Sequence, residues 1–182
     1  MAHRVYLDTS VLVFFFITNF EPKFSNASKE FLKRVESGKY EGLISLFALM
    51  ELIKQLRELL VKANIVAKKD WEESTKRAIE AIYKMQNIKI IEGSSQERKT
   101  VLTVSNVSHS EIAWESFDII NKYQGRVGLR NSKLQHDGIH PVDAVHVVLA
   151  KKMGCSMIAT LDRDFRETDC EIQSLLLQDD AF

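Results

Sequence analysis

Short apolar runs alternate along the chain with longer segments of helical periodicity. The runs Val5–Leu7, Gly42–Leu46, Asn87–Ile91 and Ser156–Thr160 predict four β-strands. Between them, apolar residues recur every three or four positions, which is typical of amphipathic helices. Strands that alternate with helices in this way form a parallel sheet covered by helices on both faces. The pattern therefore predicts an α/β fold, a three-layer α/β/α sandwich around a central parallel sheet.

The predicted helices begin and end at residues that commonly cap helices. They cover a segment that starts after Asp8, residues 25–36, 47–62, 70–83 and 108–123, and a last segment that starts at Pro141. Gly38 and Gly154 are expected to end the second and the last of these helices, because helices often finish at a glycine. His140 is the expected N-cap before Pro141. The segment around Pro22 is predicted to be a loop.

Four other stretches give weaker signals. Glu92–Lys99 is polar and is predicted to be a loop, whereas Val101–Val104 is ambiguous between strand and loop. Gly125–Gly138 is polar and contains three glycines, so we interpret it as a surface connection in preference to a substrate lid. Glu171–Leu175 predicts a weak final strand.

The composition is that of one globular domain with a sizeable core. Of 182 residues, 45% are hydrophobic and 27% are charged, so residues 1–182 are expected to form a single domain. The 25 basic side chains balance the 25 acidic ones, which leaves no overall positive field to hold nucleic acid. Attraction to a nucleic acid would have to come from a local basic patch or from a bound metal ion.

Targeting and redox signals are few. The apolar run Val11–Ile17 is preceded by Asp8 and has no small-residue cleavage site after it, so we do not expect a signal peptide. No other run approaches the roughly 20 apolar residues of a membrane span. Cys155 and Cys170 are interpreted as reduced structural thiols. Together these features predict a cytoplasmic protein with no membrane contact and no disulfide.

Acidic residues recur at equivalent places in the predicted fold. Asp8 follows the first strand and precedes two capping residue types, Thr9 and Ser10. Four more acids lie just past a strand or early in a helix: Glu51, Asp143, Asp162 and Asp164, the last less certainly. Any one of them is explained by helix capping or by the favourable placement of an acid at a helix start. Together they should meet at the edge of the sheet where ligands bind in such folds.

A cluster of carboxylates predicts a cation. Carboxylates that lie close together repel one another and lose solvation unless a positive ion holds them. Oxygen-only ligands favour Mg²⁺ or Mn²⁺. Such ions, held beside phosphate oxygens, commonly catalyse phosphodiester hydrolysis.

Four segments resemble, in order and relative placement, the acid-bearing motifs of the PIN-domain family. They are Val5–Leu12, with Asp8 and Ser10; Ser45–Glu51; Val142–Ala150, with Asp143; and Ile158–Phe165, with Thr160, Asp162 and Asp164. The resemblance spans nearly the whole chain. Each motif alone is weak, whereas the ordered set is fairly specific.

The resemblance implies a function, a cofactor and partners. Most PIN domains are Mg²⁺- or Mn²⁺-dependent ribonucleases, and many small ones are VapC-type toxins. By resemblance, Asp8, Glu51, Asp143 and Asp162 would form a catalytic acidic quartet that binds the metal. Asp164 would be a further metal ligand, with Ser10 and Thr160 in supporting positions. The implied partners are single-stranded or structured RNA, an antitoxin protein and a second copy of the chain. The chain is longer than a minimal toxin of this family.

Other readings remain open on sequence alone. The same fold could be a catalytically idle module that binds RNA or a protein partner. A zinc site could combine four residues near the last helix: His136, His140, Asp143 and His146. Without zinc, His146 is interpreted as a partly buried helical histidine. A nucleotide-binding Rossmann domain is disfavoured, because Asp8 and its neighbours occupy the turn that would need the glycine fingerprint. Several basic residues could contact phosphates or simply face solvent: Lys54, Arg57, Arg126, Arg130, Lys151 and Arg163.

Overall fold

Five parallel strands form the central sheet of the computed structural model, which describes residues 3–18, 21–62, 70–91, 109–122, 128–130, 133–135, 139–168 and 172–177. In chain order the strands are β1 (His3–Leu7), β2 (Tyr40–Ser45), β3 (Ile88–Ile91), β4 (Gly128–Arg130), β5 (Lys133–Gln135), β6 (Met157–Thr160) and β7 (Gln173–Leu176). The sheet has the order β3-β2-β1-β6-β7, and every neighbouring pair in it is parallel. Strands β4 and β5 form a separate antiparallel pair.

Helices connect the strands of the sheet and cover both of its faces. They are α1 (Thr9–Phe16), α2 (Pro22–Glu36), α3 (Leu46–Lys62), α4 (Trp71–Lys84), α5 (His109–Lys122) and α6 (Pro141–Lys152), followed by a 3₁₀ helix at Arg163–Thr168. Residues of α1 to α4 pack with one face of the sheet, and residues of α5, α6 and the 3₁₀ helix pack with the other. The predicted three-layer α/β/α arrangement is confirmed.

The strands are apolar on both faces because helices cover both. In β1, Val5 and Leu7 point into the core under α1 to α4, whereas Tyr6 between them points into the core under α5 and α6. All three side chains are fully buried. This continuous burial explains why the strands appear in the sequence as unbroken apolar runs and not as alternating ones.

Two glycines end helices as predicted, through left-handed backbone conformations. Gly38 has φ +80° after α2, and Gly154 has φ +68° after α6. After α6, the Gly154 N–H donates to the Lys151 carbonyl and the Cys155 N–H donates to the Ala150 carbonyl. These are the two hydrogen bonds of a Schellman motif, and they turn the chain from α6 directly into β6.

Several boundaries differ from the predictions. Pro22 was predicted to lie in a loop but opens α2 at a position where its missing N–H is not needed. Leu46 belongs to α3 and not to the preceding strand. Asp70 is the N-cap residue of α4, although its side chain makes no capping hydrogen bond. Part of Gly125–Gly138 is not an irregular connection, since β4 and β5 pair there.

Some sequence predictions fall on residues that the structure does not describe. Val101–Val104, Ser108, Arg126, His136 and Cys170 lie outside the described ranges. Within those ranges Cys155 is a free thiol. None of the described helices combines the length and the hydrophobicity that a bilayer crossing demands.

We predict that Gly154→Ala lowers the free energy of unfolding by about 1–2 kcal/mol, the usual cost of the left-handed conformation in a residue with a Cβ. The loss should come from the backbone alone, because the new Cβ would lie 3.7 Å from the Arg4 guanidinium, an ordinary contact. Gly154→Asn should lose less, since asparagine tolerates this conformation better. Urea unfolding of the three proteins measures the difference. Equal stability of the alanine variant and the parent would contradict the prediction.

Candidate active site

The predicted acidic residues converge where three central strands end. Asp8 follows β1, and its N–H donates to the Ala159 carbonyl of β6 at 3.1 Å. Asp162 lies two residues beyond the end of β6, Glu51 lies in the second turn of α3 after β2, and Asp143 lies in the first turn of α6. The parallel topology therefore brings together acids from four separate segments.

Asp8 is the most firmly held of these acids. It is only 5% exposed, and its Oδ2 accepts hydrogen bonds from the Ser10 N–H at 3.3 Å, from the Ser10 hydroxyl and from Thr160 Oγ1 at 2.9 Å. The first of these makes Asp8 the N-cap of α1. Asp8 therefore both caps α1 and belongs to the acidic cluster.

Ser10 and Thr160 link the β1 and β6 ends of the site. The Ser10 oxygen also accepts a hydrogen bond from the Leu161 N–H at 3.1 Å, and Thr160 Oγ1 accepts one from the Asp162 N–H at 2.9 Å. Asp162 Oδ1 in turn accepts from the Asp164 N–H at 2.9 Å. Asp164 itself is exposed on the 3₁₀ helix, and its main chain is what contacts Asp162.

Glu51 is held by donors from two other elements. Its Oε2 accepts a hydrogen bond from Thr9 Oγ1 at 2.6 Å and lies 2.9 Å from His146 Nε2, whereas Oε1 accepts a longer bond from Gln55 Nε2 at 3.3 Å. Burial alone would raise the pKa of Glu51, but the hydrogen bonds from His146 and Thr9 outweigh it and lower the pKa. Glu51 is therefore ionised at neutral pH.

Asp143 and Asp162 show the opposite behaviour. Burial, followed by the charges of Asp8 and Asp162, raises the pKa of Asp143 to about 7, against a weaker opposing effect of His146. Burial also raises the pKa of Asp162, with the charges of Asp164 and Asp8 adding to it and the Asp164 N–H opposing it. In both side chains burial and neighbouring carboxylates thus oppose ionisation, and the increase in pKa is largest at Asp143.

His146 belongs to the site through its contact with Glu51, which the sequence analysis did not predict. We expected either a zinc ligand or a partly buried helical histidine, but the ring is fully buried and lies between Tyr6 and Glu51. Burial lowers the pKa of His146, but the hydrogen bond to Glu51 and the charge of Asp8 outweigh it and raise the pKa. His140 does not join it: that side chain is exposed and accepts the Val142 N–H as the N-cap of α6.

Two of the candidate basic residues, Lys54 and Arg57, lie on α3, the helix that carries Glu51. Lys54 and Arg57 are exposed and line a groove of about 510 Å³ together with Met50 and Trp71. The Arg57 guanidinium stands over the Trp71 ring at 5.1 Å from its centroid. Lys151 and Arg163 are also exposed, and the Arg130 side chain is outside the described part.

The donor set suits a hard divalent cation in chemistry and in charge. Carboxylate oxygens are the ligands that Mg²⁺ and Mn²⁺ prefer. Within the described residues, no three His, Cys, Asp or Glu side chains are already arranged to hold a metal ion. Oδ2 of Asp8 and Oε2 of Glu51 each accept at least two hydrogen bonds. Burial is the main cause of the raised pKa of Asp143, and the charges of Asp8, Asp162 and Glu51 add to it, so a bound cation would offset that repulsion.

Comparison with known proteins places this arrangement in context. A family model for the PIN domain matches residues 5–170. The fold resembles VapBC2 from Rickettsia felis, solved with a DNA fragment from its promoter, at a TM-score of 0.52 and 12% identity over 94% of this chain and 97% of that one. It also resembles the sarcin-ricin-loop-cleaving toxin VapC20 of Mycobacterium tuberculosis, at a TM-score of 0.50 and 11% identity over 91% and 94%. No sequence among curated proteins matches the chain. At these identities the two structures establish a shared fold only.

The raised pKa of Asp143 generates a prediction about stability in chelator. The pKa of Asp143 is 3.8 in an unfolded chain and about 7 in the folded protein. Between these two pH values the folded protein binds more protons at Asp143 than the unfolded chain does. The free energy of unfolding should therefore fall as pH rises through this window. Asp143→Asn removes that cost. Its advantage over the parent should be absent below pH ~4, grow toward pH ~7 and level off at about 1–4 kcal/mol.

Thermal unfolding of parent and variant across this pH range measures the effect. Asp118→Asn, an identical change at an exposed position of α5, is the control and should show no such pH-dependent gain. If Asp143→Asn were instead less stable than the parent at pH 8, Asp143 would be no more than a favourable acid at a helix start.

Proposed function

The chain belongs to the PIN-domain family, and from this premise we propose that it is a metal-dependent endoribonuclease whose acidic quartet is Asp8, Glu51, Asp143 and Asp162. One observation carries the proposal. Burial, with the charges of Asp8, Asp162 and Glu51 adding to it, brings the pKa of Asp143 to about 7. Acids from three other segments thus lie close enough to act on one side chain, which independent helix caps would not do.

The quartet would hold Mg²⁺ or Mn²⁺, with Asp164 as a further ligand. When bound, such an ion supplies Lewis-acid chemistry, because it makes a nearby water more acidic and offsets negative charge on phosphate oxygens. The protein's own contribution is to fix the carboxylates. Ser10 and Thr160 fix Asp8, and Thr9 and His146 fix Glu51. Among the described residues no hydrogen-bond donor fixes Asp143 in this way, and this side chain would lose its proton as the cation arrives.

RNA is the proposed substrate, in single-stranded or structured form. The chain has no net charge, so binding depends on local cations. Lys54 and Arg57 are exposed on the helix that carries Glu51, where they could contact phosphates on either side of the cleaved bond. VapC20, which has the same fold, is a toxin that cleaves the sarcin-ricin loop, and this supports RNA as the substrate class.

We predict that the purified protein cleaves single-stranded RNA only with added Mg²⁺ or Mn²⁺, and that excess EDTA stops cleavage. Asp8→Asn and Asp162→Asn should each reduce the rate by about 100-fold or more, and the double variant should lose little beyond that, because residues that act as a unit are not additive. Fluorescent oligonucleotide cleavage measures these rates.

The controls distinguish the proposed nuclease from an idle binding module. Asp118→Asn on α5 should cleave at the parental rate. Undiminished cleavage in excess EDTA would contradict the metal-dependent mechanism. RNA binding without any cleavage would favour a module that only binds RNA. Losses that multiply in the double variant would assign Asp8 and Asp162 to separate sites.

We also propose that residues 1–182 act as one nuclease domain and as the toxin of a toxin–antitoxin pair, with an antitoxin and a second copy as protein partners. Support for the antitoxin comes from the description of the VapBC2 structure as a complex bound to promoter DNA. Support for a protein-binding surface comes from α3, where Leu46, Met50 and Ile53 are 46%, 64% and 39% exposed. Exposed apolar side chains grouped on one helix face often mark an interface.

For the second copy, we predict that the 20.9 kDa chain sediments as a dimer and that Met50→Asp makes it a monomer with unchanged folding. The substitution places a charge in the exposed apolar face, and a charge there is costly only if the face is covered. Analytical ultracentrifugation decides. A parent that is monomeric at every concentration would remove the homodimer from the proposal.

A further inference from the structure

A buried chain of hydrogen bonds runs from β2 to Glu51 through the β1 side chain Tyr6. The Ala48 N–H donates to Ser45 Oγ at 3.0 Å, and the Ser45 and Tyr6 hydroxyl oxygens are 2.7 Å apart. Tyr6 Oη lies 2.7 Å from His146 Nδ1, and His146 Nε2 lies 2.9 Å from Glu51 Oε2. Tyr6 and His146 are fully buried and Ser45 is 4% exposed, so water does not compete for these groups.

The donors and acceptors of this chain can be assigned from its two ends. An ionised carboxylate only accepts, so His146 Nε2 must carry the hydrogen that Glu51 receives. A backbone N–H only donates, so Ser45 Oγ accepts from Ala48 and is free to donate its own hydrogen to Tyr6. Tyr6 then donates to Nδ1 of a neutral ring. In a charged ring Nδ1 would donate instead, yet Nε2 would still donate to Glu51.

The consequence falls on the two oxygens of Glu51. Oε2 receives hydrogens from both His146 and Thr9, whereas among the described residues Oε1 accepts the longer bond from Gln55 alone. The ring itself is held on one side by Tyr6 and on another by Phe47, whose ring makes an edge contact at 5.2 Å between centroids. The imidazole therefore has a fixed place and offers a fixed donor direction.

We propose that His146 is a positioning residue that fixes the Glu51 carboxylate through a hydrogen bond to Oε2 and so holds it in place for the cation, with Tyr6 and Ser45 keeping the imidazole oriented. The inference rests on the proposed function, because it assigns a role to Glu51 as a metal ligand. Groups that orient a ligating carboxylate commonly contribute about 10–100-fold to metal affinity. In this role His146 acts through Glu51 and not on the substrate.

The test is Mn²⁺ affinity of the full-length protein, measured by electron paramagnetic resonance of the free ion without any RNA. His146→Leu should bind Mn²⁺ about 10–100-fold more weakly. His146→Gln, whose amide can donate in place of Nε2, should recover much of this loss. Tyr6→Phe should weaken binding about 10-fold and change the ¹⁵N signature of the imidazole nitrogens, because it removes the group that orients the ring.

Matched controls and separate outcomes keep the inference falsifiable. His3→Gln and Tyr83→Phe make the same chemical changes at exposed positions and should bind Mn²⁺ like the parent. If His146→Leu fails to fold, the glutamine and Tyr6→Phe variants still decide. Parental Mn²⁺ affinity in folded His146 and Tyr6 variants would overturn this inference alone. A parent that binds no Mn²⁺ would overturn the proposed function, and this inference with it.

Discussion

Repulsion between carboxylates at one edge of a parallel sheet is the constraint on which this structure depends. Parallel strands all end at the same edge, so the topology that builds the core also concentrates the acids of β1, β6, α3 and α6. The protein must then stabilise these charges or keep some of them neutral. Both solutions are present. Hydrogen-bond donors surround Asp8 and Glu51, whereas the described part of the chain offers Asp143 no comparable set, and burial helps this side chain to hold a proton to near neutral pH.

This division gives the cluster a built-in asymmetry. The side chains that serve Asp8 are Ser10 of α1 and Thr160 at the end of β6, and those that serve Glu51 lie on α1, α3 and α6. Each of these side chains donates from a hydroxyl, an amide or an imidazole, so the hydrogen bonds described for these two acids involve no lysine or arginine. A cation that enters the site therefore meets two carboxylates already fixed in position and a third that can still change its charge.

The sequence predicted the sheet, the layers and the places of the acids, because each depends on local patterns. Strand runs, capping residues and glycine stops are readable within about ten positions, and the acids lie at fixed offsets from them. The sequence could not predict which donor serves which acid. Thr9 was seen only as a capping type, and His146 only as a zinc candidate or a core residue. Their bonds to Glu51 join residues 42 and 95 positions apart, and no local pattern encodes such a pairing.

The order of the strands has a consequence for robustness. The edge strands β3 and β7 carry none of the four acids, which all attach to or adjoin the three inner strands. Proteins open locally in cooperative units, and elements with few neighbours open first. Fraying of β3 or β7 would therefore leave the carboxylates in register, and hydrogen exchange at the site would follow global unfolding. The position of the four acids would therefore not depend on the two outermost strands of the sheet.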